Sequence, residues 1–121
     1  MKLLSKILLG FVALSHFGFL VLEMFFWTKP LGQRIFDLTP EFAEASAVLA
    51  ANQGLYNGFL AAGLLWALFA NRLDLKVFFL SCVIVAGVYG GITASTSILV
   101  IQALPAFITL ALVWLTKPAK A

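Results

Sequence analysis

LAANQGLYNGFL, residues 49–60, places two asparagines, a glutamine and a tyrosine inside a segment that is otherwise apolar. The apolar segment extends from about residue 40 to residue 70, which is longer than the roughly 20 residues that a helix needs to cross a bilayer. A carboxamide in hydrocarbon is costly unless it is hydrogen-bonded. The stretch therefore predicts a helix in a membrane bundle, with its polar side chains turned inward toward other helices.

The composition of the whole chain favours the same fold class. Of 121 residues, 63% are hydrophobic and only 11% are charged, and the mean hydropathy is +1.06, outside the range of ordinary soluble domains. Four apolar segments can be drawn, at about residues 4–28, 40–70, 75–93 and 97–116. We therefore predict an all-α, polytopic membrane protein in which residues 1–121 form a single four-transmembrane-helix bundle.

The first apolar segment can also be interpreted as a secretory signal peptide. Residues 1–15 combine a basic start, an apolar middle and small residues, as such peptides do. The apolar character continues through HFGFLVLEMFFW, residues 16–27, beyond any cleavage point. This continuation favours a retained membrane span over a cleaved peptide.

Local signals set the expected ends of the helices. Pro30 and Gly32 are expected to break the helix after the first span, in a connection whose Ile35, Phe36 and Leu38 can lie flat at the membrane interface. Thr39 is a suitable N-cap for the second helix and Pro40 suits its first position. Pro105 removes a backbone hydrogen bond inside the fourth segment, so a kink is expected there.

Small residues on the second and third spans predict which helices pack together. Gly54 and Gly58 belong to a run of small residues repeated every four positions, and Gly87 and Gly91 have the same spacing on the third span. Small residues let the backbones of membrane helices approach closely. We therefore expect spans two and three to pack on these positions.

The basic residues predict the orientation of the bundle. Six of the eight Lys and Arg residues share one side of a four-span topology, and cytoplasmic loops carry the excess of positive charge. Both termini are accordingly expected in the cytoplasm. The six are Lys2, Lys6, Arg72, Lys76, Lys117 and Lys120, and Lys29 and Arg34 lie on the other side. In an apolar chain this positive charge is interpreted as topology signals and lipid anchors, with no nucleic-acid partner.

Polar side chains from all four predicted spans fall in the middle and outer half of the membrane. Helices that each supply polar groups at similar depth are expected to enclose a polar cavity, which here would open outward. The candidate ligand-binding residues are His16, Glu23, Asn52, Gln53, Tyr56, Asn57, Tyr89 and Gln102. Structural hydrogen bonding between helices is the alternative for the carboxamides. With one cysteine and no nucleotide loop or metal motif, no metal and no cofactor is predicted.

Five strings together resemble a known family. They are LEMFFW at residues 22–27, LTPEF at 38–42, LAANQGLYNGFLAAGL at 49–64, CVIVAGVYGG at 82–91 and QALPA at 102–106. In these strings the chain resembles small bacterial integral membrane proteins of domain-of-unknown-function family 1304. The resemblance covers essentially the whole chain and implies a multi-pass protein of the bacterial inner membrane. It implies no activity.

Three functional hypotheses follow. The first is a site that binds, moves or modifies a small amphipathic molecule, a lipid or a quinone-like compound, where Glu23 accepts a proton or hydrogen bond and His16 exchanges a proton. The second is a proton-coupled exporter similar to small multidrug-resistance transporters, although Glu23 lies near the end of its span. The third is a non-catalytic subunit that docks a membrane-protein partner or a second copy. The sequence does not decide whether the protein is an enzyme.

Overall fold

The computed structural model describes residues 1–119 and is built of helices, with no strand in that range. The elements are α1 (Lys2–Phe25), α2 (Pro30–Phe36), α3 (Pro40–Ala70), α4 (Leu73–Thr93), a π-helical segment (Leu99–Ala103) and α5 (Leu104–Leu115). The all-α prediction is confirmed. Lys120, which contributes to the predicted orientation, lies outside the described residues.

Two of these helices, α1 and α4, are long and apolar enough to cross a membrane. Leu99–Leu115 forms a shorter apolar helical stretch of the kind that also occurs in helical cores. Length and composition thus indicate a membrane-associated protein. The four-span topology and the cytoplasmic placement of both termini stay predictions.

By its internal contacts the chain divides into two compact units. One is Leu14–Ala61, and the other combines Met1–Ala13 with Ala62–Ala121, of which residues 62–119 are described. The unit Leu14–Ala61 is called the Glu23 unit here, and the other is called the lysine unit. The prediction of one domain over residues 1–121 stays a prediction.

The Glu23 unit is held together where α1 and α3 approach closely at Gly54. A Cβ atom at this position would lie 2.8 Å from Met24 Cγ, 3.1 Å from Glu23 Cβ and 3.2 Å from the backbone oxygen of Leu20. Gly58, one turn later, also faces the Leu20 side chain. The smallest residues of α3 therefore admit α1 close to the α3 backbone.

The first helix ends before Pro30 as expected, and the connection after it contains a short helix of its own, α2. Pro30 occupies the first position of α2, where its missing N–H is not needed. Gly32 is buried against the backbone of Phe26, so a Cβ there would overlap the Phe26 oxygen. The helix ends at Phe36, and the left-handed backbone of the capping residue Asp37 (φ 55°) lets the next N–H, that of Leu38, bond the oxygen of Gln33 at 2.8 Å. The two presumed helix breakers thus serve to start α2 and to pack it.

The start of α3 confirms the predicted cap. The backbone N–H of Phe42 donates to Thr39 Oγ1 at 3.2 Å, and Pro40 is the first helical residue. This bond satisfies one of the backbone donors that a helix start leaves unpaired. The signal is local, so the sequence alone was sufficient to find it.

In the lysine unit the glycines of α4 face the π-helical segment, and the predicted pairing of α3 with α4 on the glycine positions is wrong. A Cβ at Gly87 would lie 2.8 Å from the backbone nitrogen of Ala103 and 2.9 Å from its Cβ. A Cβ at Gly91 would meet the side chain of Leu99. The reason is that small residues permit any close partner, and Ala103 supplies a matching small surface.

Pro105 is accommodated by the turn that precedes it. The N–H of Leu104 bonds the oxygen of Leu99, five residues back, which makes this turn π-helical. α5 begins at Leu104 directly after this turn, so Pro105, which has no N–H to donate, comes immediately after the widened turn. Widened turns of this kind are a known cause of bends in helices.

Candidate functional site

The Glu23 unit contains a polar contact between α1 and α3. Asn57 Nδ2 donates a hydrogen bond to Glu23 Oε1 at 2.6 Å. Asn57 is buried, with 6% of its surface exposed, and Glu23 is half-buried. The contact lies three residues beyond Gly54, so the close approach of the two helices brings these side chains within reach. The predicted candidates Glu23 and Asn57 are therefore direct partners.

His16 lies on the same helix as Glu23 and is almost fully buried, with 1% of its surface exposed. Its ring contacts Phe19 edge-on, with the centroids 5.2 Å apart. Seven residues of α-helix separate His16 from Glu23, a rise of about 10.5 Å. Direct hydrogen bonding between the two side chains is thus excluded by distance along the axis, and a proton could pass between them only through an intervening group.

The sequence predicted that the other polar residues of α3 would also turn inward. The structure shows that they do not. Asn52, Gln53 and Tyr56 are exposed on the chain, and Tyr56 packs edge-on against Phe59 at 5.8 Å. The buried positions of α3 recur at three-, four- and seven-residue intervals. They include Ala43, Ala50, Gly54, Asn57, Ala61 and Leu64. Asn52 lies about 140° around the helix from Asn57, because each residue advances about 100°.

Two further candidates belong to the lysine unit. Tyr89 is exposed, and its backbone oxygen accepts a hydrogen bond from Thr93 Oγ1 at 2.7 Å. Gln102 is half-buried within the π-helical segment. A ligand-binding role for these two side chains stays a prediction.

A second hydrogen bond in the Glu23 unit was not predicted. Trp27 Nε1 donates to Ser46 Oγ at 3.0 Å, and the ring of Trp27 packs against Phe36 at 5.0 Å. The position of Trp27 near the end of the first apolar segment by itself indicates only a membrane-interface anchor. Its indole N–H and the hydroxyl of Ser46 are each common enough that no sequence signal pairs them.

The described part of the chain contains no group of three or more His, Cys, Asp or Glu side chains placed to hold a metal ion. Cys82 is a free, half-buried cysteine on α4. The Glu23 contact itself offers hydrogen bonding. An ionised carboxylate has about four lone-pair sites, of which Asn57 uses one.

Comparison with known sequences places the chain in a family. Residues 10–114 match the family described as "Protein of unknown function (DUF1304)". The chain belongs to the DUF1304 family. This DUF1304 protein is also 34% identical over 106 residues to "Uncharacterized protein YpaA" of Lactococcus lactis subsp. lactis (strain IL1403), with 84% of this chain and 89% of that relative covered. No solved structure matches it. The resemblance seen in the sequence strings is thereby confirmed.

Proposed function

We propose that this DUF1304 protein is a multi-pass protein of the bacterial inner membrane that binds the polar head of a small amphipathic molecule at Glu23 and Asn57. The ligand class is a lipid or a quinone-like compound. The observation that carries the proposal is the 2.6 Å hydrogen bond between Asn57 and Glu23, because it places a carboxyl group between two apolar helices. An ionisable side chain in such a position is costly and by default functional.

A four-span topology is part of the proposal. α1 and α4 each satisfy the length and hydropathy of a span, and α3, with 31 residues, is about 46 Å long at 1.5 Å per residue. The π-helical segment and α5 together contain 17 residues, close to the lower limit for a span. In this topology six basic residues would lie on one side and two on the other, and the positive-inside rule favours both termini in the cytoplasm.

The chemistry of the contact suits a ligand with a hydroxyl or carbonyl head. Asn57 orients the carboxyl group of Glu23, which keeps acceptor capacity for a donor from the ligand. Gln53 lies one helical turn before Asn57 and is exposed, so its carboxamide can donate to or accept from the same head group. The apolar tail of such a ligand would remain in the hydrocarbon beside the helices. Reaction or transport is not needed for this binding role.

The carboxyl group distinguishes this role from simple helix adhesion. A pair of carboxamides would join α1 to α3 without placing an ionisable group among apolar residues. Interhelical hydrogen bonds in membranes contribute only about 0.6 kcal/mol on average, which is less than the free-energy cost of placing a carboxyl group among apolar residues. Binding of a polar head group explains why a carboxyl group lies at this position, whereas helix adhesion does not.

Native mass spectrometry of protein released from mild detergent tests the proposal. Wild type is compared with Glu23→Gln and Asn57→Ala. Matched controls are Glu44→Gln, an exposed glutamate, and Asn52→Ala, an exposed asparagine of the same helix. We expect a small bound molecule in wild type and both controls and its loss from both site variants. A wild type without any bound molecule, or equal loss from the controls, would refute the site.

A second candidate function is docking of another membrane helix. Asn52, Gln53 and Tyr56 are exposed along α3, and carboxamides facing lipid are unfavourable. A partner helix or a second copy of the chain would satisfy them. We expect the docking role, if it operates, to appear as a complex whose mass falls to that of the single chain when Asn52 and Gln53 are both changed to Leu. A single-chain mass in wild type would eliminate this candidate.

A further inference from the structure

The lysine unit contains a small cavity where three stretches of chain meet. The stretches are the start of α1, the turn between α3 and α4 with the start of α4, and the end of α5. The cavity has a volume of about 120 Å³. Its lining residues are Lys2, Ser5, Lys6, Asn71, Leu73, Lys76, Val113, Thr116, Lys117 and Pro118. We call this cavity the lysine pocket.

The charge of the lysine pocket is positive. Four of its lining residues are lysines, and none of those described is acidic. Asp74, the acidic residue nearest in sequence, is held by Arg72, whose Nη2 lies 2.6 Å from Oδ2 and whose Nε lies 3.1 Å from Oδ1. That bidentate hydrogen bond raises the pKa of Arg72 above its ordinary value. Asp74 is thus paired outside the pocket and leaves the lysines without a carboxylate from it.

Among the lysines of the pocket, Lys76 has a burial that a role in membrane topology does not explain. Only 8% of its surface is exposed, and its Nζ donates to Asn71 Oδ1 at 2.7 Å. Asn71 adopts a left-handed backbone (φ 51°), a conformation that asparagine tolerates better than most residues. An ammonium group has three donors, so two remain after the bond to Asn71. The positive-inside rule accounts for charge near the membrane surface, but it does not account for a lysine that is covered at a cavity and keeps two donors for further acceptors.

The other polar side chains leave the ammonium groups as the principal donors. The hydroxyl of Ser5 donates to the oxygen of Lys2 at 2.8 Å, and that of Thr116 donates to the oxygen of Leu112 at 2.7 Å. Lys117 Nζ lies 3.4 Å from the centroid of the Trp114 ring, a cation–π contact beside the pocket. Several like charges that line one cavity are stabilised by a multivalent anion.

We propose that the lysine pocket binds a phosphate group. A protein cavity of about 150 Å³ accommodates a benzene-sized molecule, so one of about 120 Å³ has room for phosphate. The phosphate belongs either to the head of an anionic phospholipid or to a small soluble molecule. Basic pockets between membrane helices on the cytoplasmic side are known to receive phospholipid head groups. The proposal uses different residues from the Glu23 contact and does not depend on it.

Two measurements on the full-length protein in a neutral detergent test the proposal. The first is native mass spectrometry with added phosphatidylglycerol or chain-matched phosphatidylcholine. The second is the unfolding temperature in sodium phosphate against sodium chloride of equal ionic strength. The variants are Lys6→Gln, Lys76→Gln and Lys117→Gln, and the control is Lys29→Gln, which removes a lysine outside the pocket.

We expect wild type to prefer phosphatidylglycerol, and each pocket variant to weaken that binding by about fivefold, the effect of one lysine near an anionic lipid. Lys29→Gln should change it by less than about twofold. No lipid preference, together with a phosphate-specific rise in unfolding temperature that pocket variants abolish, supports a soluble phosphate instead. If Lys76→Gln fails to fold, Lys6→Gln and Lys117→Gln decide the test.

Two results would overturn the proposal. One is equal binding of both lipids with no phosphate-specific change in unfolding temperature. The other is a loss of phosphatidylglycerol binding in Lys29→Gln as large as in the pocket variants, which would show attraction to the total charge of the protein.

Discussion

The Glu23 contact and the lysine pocket represent two ways of placing polar groups in an apolar chain. Asn57 and Glu23 bond directly at 2.6 Å, so each group satisfies part of the other's hydrogen-bonding requirement. The lysine pocket instead gathers four cations with one carboxamide, Asn71, bound to Lys76. A donor and an acceptor stabilise each other, whereas like charges repel. The contact is therefore expected to contribute to stability by itself, and the pocket to reach its full stability only with an anion bound.

The largest expected effect comes from separating the helices that form the contact. Gly54→Ala should lower the free energy of unfolding by about 2 to 3 kcal/mol, because the new Cβ would press on Met24, Glu23 and the Leu20 backbone oxygen. Unfolding in mixed micelles, followed by circular dichroism, measures the change. The control is Gly10→Ala in the lysine unit, where the Cβ would lie 3.9 Å from Leu68 Cδ2, an ordinary contact. Equal effects of the two substitutions would contradict the close approach at Gly54.

The next effect comes from removing one partner of the contact. Asn57→Ala should lower the free energy of unfolding by about 1 to 2 kcal/mol, because a half-buried carboxyl group loses its donor. The same micelle titration applies. Asn52→Ala, at an exposed position of the same helix, should change stability by less than about 0.5 kcal/mol. A comparable loss of stability in both variants would mean that the hydrogen bond between Asn57 and Glu23 does not stabilise the protein.

Removing a lysine from the lysine pocket should raise the free energy of unfolding, whereas substitutions at the Glu23 contact should lower it. In lipid-free detergent at low salt, Lys6→Gln should raise the free energy of unfolding by up to about 0.5 kcal/mol, because one like charge leaves the cluster. The gain should disappear at about 1 M salt, where charges are screened within about 3 Å. Lys29→Gln should show no such salt-dependent gain. A destabilised Lys6→Gln at low salt would show that the comparison between contact and pocket is wrong.

The smallest effect is expected at the ion pair beside the pocket. Arg72 and Asp74 have side chains that are 56% and 65% exposed, and exposed pairs contribute little to stability. Arg72→Gln should leave the unfolding midpoint unchanged within error in the same titration, as should Asp74→Asn. A clear shift in either variant would indicate that the pair supports the turn before α4.

The sequence was sufficient for features that depend on neighbouring residues. The Thr39 cap follows from three consecutive positions, and the helices follow from long apolar segments. The face of α3 was harder, because Asn52 and Asn57 are the same residue type and only the approach of α1 makes one of them buried. Had the periodicity of alanine and glycine along α3 been used to define the buried face, it would have separated the two.

The lysine pocket could not be predicted, because its members are distant in sequence. Lys6, Lys76 and Lys117 come together only when the ends of α1, α4 and α5 are placed in three dimensions. Each lysine alone satisfied the rule for membrane orientation, so none required another explanation. The buried state of Lys76 is the feature that separates it from an ordinary topology signal, and burial of a residue at a helix start is not visible in sequence.

The π-helical turn at Leu99–Ala103 has a consequence for chain length. Such a turn contains one residue more than an α-helical turn, so the helix that follows has the register of a chain with an insertion. Elsewhere in a helix, deleting one residue rotates everything beyond it by about 100° and misplaces the buried face. At this turn a one-residue deletion can be absorbed by conversion to an ordinary α-turn. The segment is thus the natural place for relatives of this protein to differ by a single residue while keeping the same helix packing.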